Sequence, residues 1–168
     1  MGTGAQRRPR APGTATVRVI RAEAPTSAAS RALYAEYMEL VRSRLSDAFV
    51  PTEEIFATEN DFTGEGSAWL VVYDGDHAVA CGGLRPLAPG VGEIKRMFVT
   101  ASARGGGHGR ALLEELEARA RAAGCARVLL YTTEVLREAR ALYRRAGYRV
   151  VGVEARDDRR DLWLDKRL

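Results

Sequence analysis

Residues 99–113 read VTASARGGGHGRALL and connect an apolar, strand-like segment to a helix-like one. Four of the five residues at 105–109 are glycines, which tolerate positive φ and let a ligand approach the main chain closely. The first amides of a helix lack intrahelical partners and lie at the positive end of its dipole. This stretch therefore predicts an anion site that suits a pyrophosphate.

Two familiar phosphate motifs do not fit this loop. A P-loop has Gly-Lys-Ser/Thr five residues after its first glycine, whereas the residue five positions after Gly105 is Arg110. A dinucleotide fingerprint that starts at Gly107 would place Leu112 where a small residue is needed. A linker without function is disfavoured, because a linker needs no strand before it and no strong helix after it. Taken alone, the loop predicts a phosphate-bearing ligand.

Apolar periodicity and turn residues predict the elements around the loop. Strand-like alternation begins at Thr16. From Ala28 to Leu45 an apolar stripe at helical spacing predicts a helix whose buried face consists of Leu33, Tyr37, Leu40 or Val41, and Leu45. A short helix is expected near residues 51–58, with a loop through residue 66. The other predicted elements are strands at 67–75 and 77–87 around an Asp-Gly turn, a strand at 91–99 with a bulge near Met97 and Phe98, a helix ending at Gly124, a strand at 127–133, a helix ending at Gly147, and strands at 148–153 and 162–167. This order predicts one α/β (α+β) domain, a mixed and mostly antiparallel sheet of about seven strands with helices on both faces.

The charge of the chain is concentrated at its beginning. Residues 1–15 are rich in Gly, Pro and Ala and predict a disordered leader before a domain at 16–168. The net charge is +4, but Arg7, Arg8 and Arg10 lie in this acid-free leader, so the remainder carries only +1. No basic stripe follows a predicted helix or strand, which argues against a nucleic-acid partner.

The two cysteines indicate the compartment. Cys81 and Cys125 each lie in an apolar run, and they suggest neither a zinc site nor a disulfide framework. We expect both thiols to be reduced and packed, as in a cytosolic protein. No apolar stretch approaches the roughly 20 residues that span a bilayer, and no secretory signal follows the N-terminal arginines. The expectation is a cytoplasmic protein without membrane association or bound metal.

Four blocks of the sequence match one known family in order and spacing. RGGGHG at 104–109 is similar to the signature Arg/Gln-x-x-Gly-x-Gly/Ala, which binds acetyl-coenzyme A. ACGGLR at 80–85 and GEIKRMFV at 92–99 resemble a hairpin and the fourth strand of bacterial members. ARALYRRAGY at 139–148 resembles the block Ala-x-x-Leu-Tyr-x-x-x-Gly-Phe/Tyr. Over roughly residues 67–153, the chain thus resembles the GNAT superfamily of N-acetyltransferases.

The resemblance implies a cofactor and a set of residues that bind it. Acetyl-coenzyme A would be the acetyl donor, and coenzyme A the product. Amides of the loop would hold the diphosphate, main-chain groups of the fourth strand would pair with the pantetheine arm, and an amide of Met97 or Phe98 would polarise the thioester carbonyl. The implied residues are Met97, Phe98, Val99, Arg104, Gly105, Gly106, Gly107, His108, Gly109 and Arg110.

Two side chains are the implied catalytic groups. Tyr143 would be the general acid for the leaving thiolate, although its helical spacing alone favours a core tyrosine. Glu93 would be the general base through a water molecule; the alternatives are a solvated edge charge and a water chain without a base. His108 would contribute only its amide. Leu136 stands where many relatives have Asn or Gln against the coenzyme arm.

The reaction implied is direct transfer of an acetyl group to a primary amine, and we expect the amine of a small molecule. Two alternatives stay open: acetylation of a protein N-terminus or lysine, and a non-catalytic acyl-coenzyme A-binding module. The intact loop together with Tyr143 favours catalysis. A homodimer formed through the final strand, predicted from Leu162, stays open as well.

Overall fold

The computed structural model describes residues 18–45, 59–155 and 159–168. The predicted leader at 1–15, the strand start at Thr16 and the expected helix at 51–58 lie outside the described residues. Two short 3₁₀ turns occupy Glu59–Phe62 and Ala101–Ala103. The strands and helices are β1 Arg18–Ala22, α1 Ala28–Arg44, β2 Ala68–Asp74, β3 His77–Ala88, β4 Val91–Val99, α2 His108–Ala122, β5 Arg127–Thr133, α3 Arg137–Arg145, β6 Arg149–Ala155 and β7 Arg160–Arg167.

The strands form one sheet in the order β1-β2-β3-β4-β5-β7-β6. Neighbouring strands are antiparallel except β4 and β5, which are parallel. A parallel pair needs a crossover connection, and α2 supplies it on one face of the sheet. The predicted fold class, a mixed and mostly antiparallel sheet with helices, is confirmed.

Helices cover both faces of this sheet, as predicted. On one face Leu112, Leu113 and Leu116 of α2 are fully buried in the larger core cluster, with residues of β2 to β5. On the other face Leu33 of α1 joins a smaller cluster, in which three of the six buried residues are aromatic. The aromatic members of that cluster are Phe62, Trp69 and Phe98. Because β4 contributes side chains to both clusters, it is packed on both faces of the sheet.

The predicted bulge in β4 lies one residue earlier than expected. Cys81 pairs with Phe98 and Gly83 pairs with Lys95, so two residues of β4, 96 and 97, face a single residue of β3. Arg96 takes a positive φ of 56°, which is unusual for a residue with a side chain. The bulge bends β4 near its C-terminal end.

The buried face of α1 differs from the predicted stripe. Tyr37 is only half-buried, whereas Met38 and the polar Ser30 are buried. Ser30 tolerates burial because its hydroxyl accepts a hydrogen bond from Trp69 Nε1 at 2.9 Å and donates one to the carbonyl of Ala24 at 3.0 Å. Such pairing depends on residues far away in the chain, which helical spacing does not reveal.

Three findings bear on the environment of the chain. Both cysteines are free, and burial raises the pKa of Cys81 to about 12, so this thiol stays protonated. Within residues 18–45, 59–155 and 159–168, no helix is long and apolar enough to cross a membrane. The same residues contain no group of His, Cys, Asp or Glu side chains that could hold a metal ion.

Candidate active site

β4 and β5 are paired over only part of their length, and the region between their unpaired parts is here called the cleft. The two strands are paired only over Val91–Ile94 and Arg127–Leu130. Beyond Ile94, β4 keeps its pairing with β3, but the edge that faces β5 has no strand partner among the described residues. Met97, Phe98 and Val99 lie on this part of β4. Their main-chain groups are therefore placed where an extended ligand could pair as a further strand.

The glycine-rich loop follows directly at the end of β4. Gly105 and Gly107 have φ values of 83° and 76°, a region that favours glycine. Gly107 is the N-cap residue of α2 and offers no side-chain cap, and the first helical bond of the main chain runs from Ala111 N–H to the Gly107 carbonyl. The amides of residues 108–110 therefore have no partner within the helix.

The space in front of the loop suits an anion. A Cβ atom added to Gly105 would meet no atom within 4 Å, so this part of the main chain faces open space. Several N–H donors and the positive end of α2 are directed to that space. This donor set fits the diphosphate of coenzyme A. The predicted contacts of Gly105, Gly106, Gly107, His108, Gly109 and Arg110 remain predictions, and of these the Gly106 N–H already donates to the carbonyl of Ala103 at 3.3 Å.

The remaining glycines of the loop are required by packing. A Cβ on Gly109 would lie 3.3 Å from Val99 Cγ2 and 3.4 Å from Leu142 Cδ2. Gly109 thus lets α2 begin close to both the end of β4 and α3. A Cβ on Gly106 would lie 2.8 Å from the imidazole of His108. The loop consequently needs glycine for two reasons, backbone conformation and close approach.

Two arginines flank the loop. Arg104 is exposed, and its Nε donates to the carbonyl of Val99 at 3.3 Å. Arg110 is also exposed, and its Nε donates to Glu114 at 2.8 Å, one helical turn further along α2. Both side chains add positive charge beside the proposed diphosphate position, while their predicted contacts with the coenzyme remain predictions.

Tyr143 is buried on α3 near the cleft. Its ring lies edge-on to Tyr148 with 5.9 Å between ring centroids. Burial raises the pKa of Tyr143 above the ordinary 10.0, and the neighbouring hydroxyl of Tyr37 adds to this effect. Tyr37 belongs to α1 and contacts Phe98 edge-on at 6.1 Å. The two phenols come from helices that are distant in sequence. Burial raises the pKa of Tyr37 to about 12, so both phenols stay protonated at neutral pH.

Comparison with known proteins identifies the family. Residues 25–148 match the model of the acetyltransferase (GNAT) family. The chain belongs to the GNAT acetyltransferase family. This confirms the family that the sequence blocks predicted, and proteins of this family use acetyl-coenzyme A as the acetyl donor.

Individual GNAT relatives agree with this result. An IAA acetyltransferase of Azospirillum brasilense is 44% identical over 81 residues, which are 48% of this chain and 53% of the relative. The N-acetyltransferase YjcF of Bacillus subtilis is 32% identical over 116 residues, which are 64% of this chain and 80% of that protein. The chain thus spans about half the length of the Azospirillum relative.

Solved GNAT structures share the fold. A GCN5-related N-acetyltransferase from Kribbella flavida superposes with a TM-score of 0.73 at 23% identity. The superposition covers 90% of this chain and 98% of the other. This likeness supports the fold.

Glu93, the predicted GNAT base, lies in a buried charged cluster just before the strands separate. Arg85 Nε donates to Glu93 Oε2 at 2.7 Å, and Arg85 Nη1 donates to Asp61 Oδ1 at 2.8 Å. Lys95 Nζ lies 3.6 Å from Glu93 Oε1. Only 1% of Glu93 is exposed, so the alternative of a solvated edge charge is wrong. Its role as a base remains a prediction.

Leu136 marks the one departure from the GNAT pattern. It is the N-cap residue of α3 and makes no side-chain cap bond. Asn, which together with Gln the resemblance implies at this position, is among the best N-cap residues. The substitution therefore leaves the end of α3 nearest the cleft without a polar side chain that could cap the helix or contact the coenzyme arm.

Sequence reasoning missed two parts of this region. His108 was expected to contribute only its amide, but its imidazole is buried and accepts a hydrogen bond at Nδ1 from Arg18 Nε at 3.3 Å. Arg18 is 90 residues away in the chain, so no local signal connects the two. Tyr37 was assigned to the helix core and not to the cleft, and only the packing of α1 against β4 places it there.

Proposed function

We propose that this chain transfers the acetyl group of acetyl-coenzyme A directly to the primary amine of a small molecule. The observation that carries the proposal is the position of the uncapped, glycine-rich start of α2 at the mouth of the β4–β5 cleft. Bound acetyl-coenzyme A supplies an activated acetyl thioester. Amides of residues 105 and 107–110 hold its diphosphate, while the Gly106 N–H donates to the carbonyl of Ala103 at 3.3 Å. The main chain of Met97 to Val99 pairs with the pantetheine arm. An amide of Met97 or Phe98 donates to the thioester carbonyl, where negative charge develops.

Tyr143 is proposed to donate its proton to the sulfur as the thiol leaves. A phenol kept protonated by burial is available for this step throughout the neutral range, because its acidic form is lost only above its raised pKa. The hydroxyl needs only to hydrogen-bond the sulfur while charge develops there. Tyr143 thus lowers the barrier to breaking the carbon–sulfur bond.

Glu93 is proposed to accept the proton of the attacking amine through a water molecule. The carboxylate lies on β4 at the point where the cleft begins. We expect Glu93→Gln to lower kcat/KM by about 100-fold, within the range typical of a lost general base, when steady-state rates are measured with the best amine. Asp61→Asn is the matched control, since it removes the other carboxylate bound by Arg85. A kcat/KM of Glu93→Gln close to that of the wild type would leave proton removal to water alone.

Two observations support a small acceptor. The α1 side of the cleft is aromatic, with Tyr34 and Tyr37 at 6.0 Å and Tyr37 against Phe98. Such a surface binds a compact, partly apolar amine better than an extended peptide, whose main chain needs hydrogen-bonding partners. In addition, the Azospirillum relative is named as an IAA acetyltransferase.

The acceptor can be tested by measuring thiol release from acetyl-coenzyme A with a panel of amines and peptides. We expect turnover with at least one class of small amine and release near background without an acceptor. Turnover only with peptides would replace this proposal by a protein acetyltransferase. Tight binding of acetyl-coenzyme A without turnover on any acceptor would indicate a binding module.

A further inference from the structure

The diphosphate loop is held from the edge of the sheet opposite the cleft. Arg18 of β1 donates from Nε to His108 Nδ1 at 3.3 Å and from Nη2 to the carbonyl of Gly106 at 2.5 Å. His108 Nε2 lies 3.8 Å from Asp74 Oδ2 at the end of β2. Since β1 and β2 lie on one side of β4 and the cleft on the other, these contacts leave the open side of the loop free.

The bond to Gly106 fixes the direction of the next amide. The peptide between Gly106 and Gly107 is trans and planar, so its C=O and N–H point in opposite directions. When Arg18 holds the carbonyl, the Gly107 N–H is directed away from β1. The described residues provide no acceptor for this N–H. It is therefore directed to the same open space as the first amides of α2.

His108 fixes the position of the Arg18 guanidinium. The imidazole is only 7% exposed, and it lies against Gly106, where a Cβ would collide with the ring. A guanidinium presents its donors in a rigid fork. With Nε bonded to the imidazole, Nη2 is placed against the Gly106 carbonyl. The ring therefore determines which main-chain group Arg18 holds.

A glycine-rich loop benefits from such support. Residues 104–107 are exposed, and glycine loses more conformational freedom on ordering than any other residue. If the loop were ordered only when the ligand arrives, that entropic cost would weaken binding. Contacts that order the loop beforehand remove this cost.

We propose that Arg18 and His108 are positioning residues for coenzyme binding: they aim the Gly107 N–H at the diphosphate and do not touch the reacting acetyl group. This inference rests on the proposed coenzyme site. It assigns the first strand of the fold, far from the cleft, a role in the affinity for the donor. The consequence is an effect on coenzyme binding without an effect on the chemical step.

The test is calorimetric titration of the full chain with coenzyme A, combined with kcat at saturating acetyl-coenzyme A. Arg18→Met and His108→Leu should each weaken binding by about tenfold, the value of one hydrogen bond to a charged group, with kcat near wild type. Arg21→Met is the matched control, because Arg21 lies on the same strand but stacks on Tyr73. His108→Asn should recover most of the affinity, since its amide oxygen can replace Nδ1 as the acceptor.

Several outcomes would overturn the inference. These are unchanged affinity in Arg18→Met and His108→Leu, an Asn variant no better than the Leu variant, or a fall in kcat with affinity unchanged. The comparison of Asn with Leu also separates positioning from packing, because a purely packing role would favour Leu. Should Arg18→Met fail to fold, the His108 pair decides the question alone. A wild-type protein that does not bind coenzyme A would instead overturn the proposed function itself.

Discussion

Tyr143→Phe should lower kcat by about 100-fold, within the range typical of a lost general acid, and leave the affinity for coenzyme A nearly unchanged. The ring is buried and packed against Tyr148, so Phe keeps the shape of the core and removes only the hydroxyl. Without it, the leaving thiolate loses the proton donor that we propose for it. Steady-state kinetics with the best amine, together with calorimetry for coenzyme A, measure both quantities.

Tyr148→Phe is the matched control for this prediction. It makes the same change in the neighbouring ring, whose buried hydroxyl has no hydrogen-bond partner within 3.5 Å among the described residues and has its pKa raised by burial and by the nearby Glu117 carboxylate. Turnover should be unaffected. Burial raises the pKa of Tyr143 above 10.0. Ionisation of this phenol should therefore not lower wild-type kcat between neutral pH and pH 10.0. Equal turnover of Tyr143→Phe and wild type would exclude Tyr143 as the acid.

Gly105→Asp should weaken coenzyme A binding by about 100-fold, or about 2.7 kcal/mol. Gly105 has a φ of 83° and its Cβ would project into open space, and Asp is one of the few other residues that accept this conformation. The new carboxylate would lie beside the diphosphate, and the two negative charges would repel each other. Calorimetric titration with coenzyme A measures the change.

Gly124→Asp provides the control for backbone strain. Gly124 has a φ of 80°, its Cβ would also meet no atom within 4 Å, and it follows the opposite end of α2. Both variants should therefore show a similar change in melting temperature, while Gly124→Asp keeps the wild-type affinity. Equal losses of affinity in the two variants would indicate a general effect on the fold and contradict binding at the loop.

Local patterns were sufficient to predict most of the fold. The strand at Arg127–Thr133 has the predicted bounds, because a short apolar run between a helix and a turn can form few secondary structures other than a buried strand. The turn at Gly75 has the positive φ that its Asp-Gly sequence requires, with a value of 61°. The loop at 105–109 could be predicted for the same reason, since glycine marks positions where a positive φ or close packing excludes residues with a side chain.

Long-range partners could not be predicted in this way. Glu93 reads locally as a charge at the start of a strand, and only the pairing of β3 with β4 brings Arg85 against it. The bond of His108 to Arg18 joins α2 to the first strand of the sheet. Each contact depends on the order of strands, which alternation and helical spacing do not contain. The resemblance to GNAT proteins supplied that order for the cleft but not for these side chains.

Calorimetric titration of the wild-type chain with coenzyme A, and in parallel with pantetheine, tests most directly whether the loop binds the diphosphate. Pantetheine carries the same thiol arm without the diphosphate, so the difference between the two affinities reports what the main-chain amides around Gly107 contribute. We predict that coenzyme A binds at least about 100-fold more tightly, a difference of about 2.7 kcal/mol. Equal affinities for the two ligands, or no detectable binding of coenzyme A, would contradict the assignment.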